Sequence, residues 1–97
     1  MRVIARKALR EFCEREPKAR DQLEAWFAEV RDAQWATPAD LKGKYGNASI
    51  LKEGRVVFNI CGNEFRLVVW INYEFYTIYI RFLGTHAEYD AIDAQSI

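Results

Sequence analysis

Residues 55–83 read RVVFNICGNEFRLVVWINYEFYTIYIRFL. β-Branched and aromatic residues dominate this run, side-chain character alternates along it, and the turn-forming CGN at 61–63 breaks it. Three strands are therefore predicted, short enough for an antiparallel meander, with a second turn around Glu74 and Phe75. Phe65, Leu67, Val69 and Ile71 fall on one face of the middle strand, and Ile78, Ile80 and Phe82 on one face of the last. Pairing these apolar faces places Asn72 opposite Thr77, Trp70 opposite Tyr79 and Val68 opposite Arg81. The reverse face then carries Arg66, Val68, Trp70, Asn72, Thr77, Tyr79, Arg81 and Leu83, with Arg66 and Arg81 as diagonal neighbours within about 8 Å.

Upstream the period changes from two to between three and four. Ala5, Ala8, Leu9, Phe12 and Cys13 form one face of a helix, after a short strand at Val3 and Ile4. Pro17 suits the first turn of a second helix, whose inner stripe is Ala19, Leu23, Trp26, Phe27 and Val30. Thr37, Pro38 and Asp40 read as an N-cap, a first-position proline and a first-turn acid, so a brief helical turn is expected around Leu41. Two helices covering one side of a small sheet make an α+β fold with two layers and one open face.

The chain has 97 residues, 51% hydrophobic and 14% aromatic. That is one domain, residues 1–97, with a single main core and too much apolar content for disorder. No apolar run approaches the roughly 20 residues needed to cross a bilayer, and the start MRVIARKALREF lacks the apolar stretch and cleavage site of a secretory signal. A cytoplasmic, non-membrane protein is expected. Cys13 and Cys61 stand apart, without a CxxC or a histidine cluster, so both read as small core residues, and no metal or cofactor is expected. Net charge is zero, but residues 1–20 hold seven basic against three acidic side chains and residues 42–66 hold five against two, with acidic zones after each. The fold decides whether the basic blocks meet.

Arginines beside tyrosine and tryptophan on an exposed sheet suit single-stranded RNA, because guanidinium groups meet phosphates and rings stack on bases. The competing reading is a second small core of Trp70, Val68 and Leu83 under the 42–50 segment or a partner, with the arginines paired to Glu64 or Glu88. Near the end, RFLGTHAEYD (81–90) contains a capping box: Thr85 caps a last helix starting at His86, and Glu88 reaches back to it. His86 and Tyr89, at i and i+3, share a side of that helix near the arginine strand.

The run VVFNICGNEFRLVVWINYEFYTIYIRFLGTHAEYD, Val56 to Asp90, resembles the HigB family of bacterial type II toxin-antitoxin toxins. The shared pattern is FN-x-x-GN-x-x-R followed by R-x-x-x-THxEYD; IARKALREF and TPADLK are similar too, so the likeness spans nearly the whole chain. It implies a RelE-like fold and metal-independent messenger-RNA cleavage on the translating ribosome. It also implies neutralisation by a HigA-type helix-turn-helix antitoxin, through which alone DNA is reached. The chain's neutral charge departs from the basic character usual in ribosome-binding toxins of that superfamily.

By this resemblance Arg66 and Arg81 are the charge-stabilising pair, and His86 and Tyr89 the remaining catalytic positions; which of the latter two handles protons stays open. Asn59 and Asn63 read first as turn residues and second as RNA contacts. Lys42, Lys44, Lys52 and Arg55 are candidate backbone contacts, and Trp70 and Tyr79 stacking platforms. Two rivals remain: a gyrase-poisoning toxin of the related ParE group, which lacks RNA chemistry, and a non-catalytic module that grips a partner with the sheet face.

Overall fold

The computed structural model describes all residues 1–97. In chain order it contains β1 (Arg2–Ile4), α1 (Arg6–Arg15), a 3₁₀ turn (Pro17–Ala19), α2 (Arg20–Asp32), α3 (Pro38–Lys44) and β2 (Ser49–Ile50). A second 3₁₀ turn (Lys52–Gly54), β3 (Arg55–Ile60), β4 (Phe65–Asn72), β5 (Thr77–Thr85) and α4 (His86–Asp90) complete it. The predicted meander β3-β4-β5 is the centre of a five-stranded sheet ordered β1-β5-β4-β3-β2. β1 runs parallel to β5, and β2 lies antiparallel to β3 at the other edge.

The two long helices cover one face, as their stripes predict. Leu9, Phe12, Leu23, Trp26 and Val30 meet Phe58, Phe65, Leu67, Val69, Ile71 and Ile78 in the main core. Rings interlock edge to face, Trp26 on Phe58 with centroids 5.5 Å apart and Phe12 on Phe65 at 5.2 Å. α3 is a full capped helix: Thr37 Oγ1 accepts from the Asp40 N–H at 3.3 Å, and Asp40 Oδ2 accepts from the Thr37 N–H at 3.2 Å. The N-terminal ammonium donates to the carbonyls of Val30, Arg31 and Ala33 at 3.0, 2.8 and 2.7 Å, satisfying groups that the end of α2 leaves open.

Three sequence expectations need correction. Asn72 does face Thr77 and Trp70 faces Tyr79, but Val68 faces Phe82, not Arg81. Arg81 is the extra residue of a β-bulge, unpaired between the Val69–Ile80 and Val68–Phe82 partners. Beyond it the faces exchange: Phe82 leaves the helix side, and Leu83, expected on the open face, packs against the main core.

The second face is not fully open either. Val57, Val68 and Ala94 form a small core, flanked by Leu51, Phe82, Tyr89 and Ile97. Its cover is the chain after α4, not the 42–50 segment, which contributes Ala48 to the main core and β2 to the sheet edge. Finally, Cys13 is buried in the main core but Cys61 is a half-buried turn residue at φ 53°, followed by Gly62 at φ 66°. The β3–β4 turn needs left-handed backbone there, and Gly62 adopts it without a steric cost.

Candidate active site on the second sheet face

The pleat of β3, β4 and β5 brings Asn59, Arg66, Trp70 and Tyr79 to the same face, in direct register: Asn59 opposite Arg66, and Trp70 opposite Tyr79. Arg66 is half-buried and fixed from below by the β3–β4 turn. Its Nη1 donates to the carbonyl of Asn63 at 3.0 Å, and its Cζ lies 5.9 Å from the Tyr89 ring centre. Opposite Arg66 on β5 is Gly84. A Cβ there would stand 2.6 Å from Phe82 Cζ and 3.1 Å from Glu88 Oε1, so the missing side chain gives room to the ring and the carboxylate.

Arg81 lies midway along β5, just past the stretch that pairs with β1. The bulge turns it over the stacked pair Trp70–Tyr79, whose rings are 5.0 Å apart and inclined by 28°. Its Cζ is 5.9 Å from one ring and 6.0 Å from the other. The carboxylates offered by the competing reading are engaged elsewhere: Glu64 pairs with Lys18, and Glu88 with Arg15. Neither Arg66 nor Arg81 forms a salt bridge, so both guanidinium groups keep donors for an anion from outside.

α4 starts where β5 ends. Thr85 Oγ1 accepts from the Glu88 N–H at 3.1 Å and Glu88 Oε1 from the Thr85 N–H at 2.8 Å, the expected capping box. The His86 N–H donates to the Glu64 carbonyl at 3.0 Å, tying α4 to the turn that holds Arg66. The His86 ring is half-exposed with Nδ1 3.0 Å from Asp90 Oδ2, which leaves Nε2 facing away from that carboxylate. The Glu88 carboxyl is pulled down to about 2, chiefly by the Arg15 guanidinium and then by the Thr85 N–H.

The face therefore carries Arg66 with Asn59, Asn63 and Tyr89 toward one end and Trp70 and Tyr79 with Arg81 further along, while His86 opens α4 where β5 ends, its ring on Asp90. Lys52 and Arg55 border the same face, where the Lys52 N–H reaches Gln95 Oε1 at 3.3 Å and Arg55 Nε reaches the Ile97 carbonyl at 2.8 Å. Lys42 and Lys44 are not part of this gathering. Lys42 Nζ donates to the Gly46 carbonyl at 2.7 Å and also to that of Ala48, while Lys44 Nζ is 3.6 Å from Glu29 of α2. Sequence reasoning missed Phe82, Gly84 and Arg15. A glycine inside a strand is a signal of close approach that was there to be used; nothing marks Arg15 as a partner for a residue 73 positions away.

The profile of the HigB toxin family, RelE-like toxic components of toxin-antitoxin systems, matches residues 19–92. The chain belongs to the HigB toxin family. It is 32% identical over 96 residues to the mRNA interferase toxin HigB of Escherichia coli, covering 97% of this chain and 92% of that protein. The mRNA interferase HigB of Shigella flexneri aligns to the same extent. A more distant Escherichia coli mRNA interferase HigB is 21% identical over 94 residues, 95% of this chain and 91% of the relative. The α+β architecture is the RelE-like one, and membership gives the chain an antitoxin partner. No helix is long and apolar enough to cross a membrane.

Proposed function

We infer that this chain is an mRNA interferase, an endoribonuclease toxin that stops translation and growth by cutting messenger RNA. The observation that carries the chemistry is the pair of arginines without carboxylate partners, Arg66 against Tyr89 and Arg81 against Trp70 and Tyr79, on a sheet whose last strand runs into the helix that His86 opens. The near full-length likeness to relatives named mRNA interferases carries the assignment of substrate.

In such a cleavage the ribose 2′-oxygen attacks the adjacent phosphorus and the 5′-oxygen departs, leaving a 2′,3′-cyclic phosphate and a 5′-hydroxyl. The protein must align the strand, accept the 2′-hydroxyl proton, return one to the leaving oxygen and offset negative charge on the phosphoryl group. Trp70 and Tyr79 offer a stacked platform for bases, and Arg81 above them places a guanidinium beside the phosphate of a stacked nucleotide. Arg66, held by Asn63, supplies the second cation. His86 exchanges the proton through Nε2, while Asp90 at Nδ1 holds the ring in place. Tyr89 positions Arg66.

The partner is an antitoxin of the HigA type with a DNA-binding helix-turn-helix, and the cut is made on ribosome-bound message. Induced expression of the wild type, Arg81→Ala and His86→Gln, with primer extension on cellular mRNA, tests the reading. Growth arrest with mapped cuts in the wild type, and neither in the two variants, is expected. Arrest accompanied by DNA breaks and intact message overturns it in favour of gyrase poisoning.

A further inference from the structure

We propose that Arg15, at the end of α1, is a positioning residue: its two-point grip on Glu88 fixes the attitude of α4 and so the place of His86. The kinetic part of this inference rests on the nuclease reading above; the structural part does not.

α4 has five residues, fewer than a helix needs to persist by its own hydrogen bonds. Its attitude must come from outside. Beside the packing of Tyr89 into the small core, one carboxylate supplies a directional tie: Glu88 Oε1 accepts from the Thr85 N–H and from Arg15 Nη2, while Oε2 is 3.2 Å from Arg15 Nη1. Such a fork fixes direction as well as distance. Arg15 is itself braced, with its Cζ 4.8 Å over the ring of the buried Phe12. The same end of the helical hairpin holds the neighbouring strand turn through Lys18 and Glu64, and the Glu64 carbonyl receives the His86 N–H.

A helix on the covered face thus reaches past the end of β5 to hold the short helix that His86 opens. Both partners of the fork are about half exposed, at 50% and 45%, and exposed pairs contribute little to global stability. Breaking the grip is therefore expected to shift a side chain rather than unfold the protein.

The chain holds a single histidine, so its ring Cε1–H line in a proton NMR spectrum reports on His86 alone. Arg15→Gln and Glu88→Gln are compared with Arg15→Lys and with Lys7→Gln, which breaks the more exposed Lys7–Glu11 pair of α1, a pair that includes neither Glu88 nor His86. Glutamine at 88 keeps a cap for Thr85 and loses only the ion pair. The expected result is a displaced His86 line in both glutamine variants, a smaller displacement in Arg15→Lys, and none in Lys7→Gln.

In cleavage of a translated reporter mRNA, both glutamine variants should lose about tenfold in kcat with KM held within about twofold. Their double variant should be no worse than either single. The fall for Glu88→Gln separates positioning from a phosphate contact, since removing a negative charge cannot weaken RNA binding.

An unmoved His86 line overturns the proposal. So does a higher KM for Arg15→Gln with unchanged kcat for Glu88→Gln, or loss of folding in either variant. A wild type that cleaves no RNA, with the His86 line displaced in both variants, overturns the nuclease reading and supports the positioning role.

Discussion

The two faces of the sheet are made from the same strands, residue by alternate residue, yet they answer to different constraints. On the helix side Phe58, Phe65, Leu67, Val69, Ile71 and Ile78 are all at most 2% exposed, and each has a neighbour from α1, α2 or the sheet. On the other side Val68 reaches that degree of cover and Val57, at 3%, comes near it, while Trp70, Tyr79 and Arg66 are half-exposed and Arg81 is open. One face is filled to hold the fold. The other is only partly covered, so that guanidinium groups without carboxylate partners and the rings beside them can serve a ligand.

The contrast predicts that damage on the two faces is read by different instruments. The largest effect belongs to the helix side. Trp26→Ala should remove about 3–5 kcal/mol of stability, measured by urea denaturation, because α2 loses its contact with Phe58. Next comes Arg81→Ala, expected to lower RNA cleavage by about 10²-fold or more while changing stability by no more than about 0.5 kcal/mol. An Arg81→Ala protein as unstable as Trp26→Ala would erase the distinction between the faces.

Trp70→Ala tests the platform and should weaken RNA binding by about 1–3 kcal/mol, measured as a higher KM with kcat nearly kept. A smaller, pH-dependent effect concerns Glu88. Its carboxyl titrates near 2 in the folded chain, below the ordinary value of 4.5, so its contribution to stability is complete above 4.5 and fades as the pH falls toward 2. In acid titrations followed by denaturation, Glu88→Gln should flatten the loss of stability across that window; an unchanged slope would refute the pairing with Arg15. Least of all, Lys42→Gln should leave cleavage within about twofold, since its ammonium is engaged by the Gly46 and Ala48 carbonyls of the loop that follows α3.

The helix side was almost wholly legible. Each helical stripe and each strand run has a period, and matching the two apolar sets fixes the layers and the register as far as Val69. The capping boxes at Thr37 and Thr85 were equally plain, since both rest on side chains three residues apart. The bulge was not. Ile80, Phe82 and Leu83 are all apolar, so inserting Arg81 outside the ladder exchanges the faces of Phe82 and Leu83 without altering the hydropathy pattern. The cover of the second face was hidden for a related reason: Ala94 and Ile97 lie among polar residues with too few apolar positions to display a period. Trp70 and Tyr79 lie on the turn side of the bulge, where the simple register holds, and Arg66 keeps its face because the extra residue is in β5 and leaves the alternation of β4 intact. The pairing of Arg15 with Glu88 depends on how the hairpin end meets the sheet, which no local pattern encodes.

Because Arg81 is surplus to the strand ladder, its side chain owes nothing to the hydrogen bonds on either side of it. Replacing it leaves every backbone partner of β4 and β5 in place, so that position is free to change in length, charge or reach at almost no expense to folding. An arginine there is therefore chosen by the site and not by the strand.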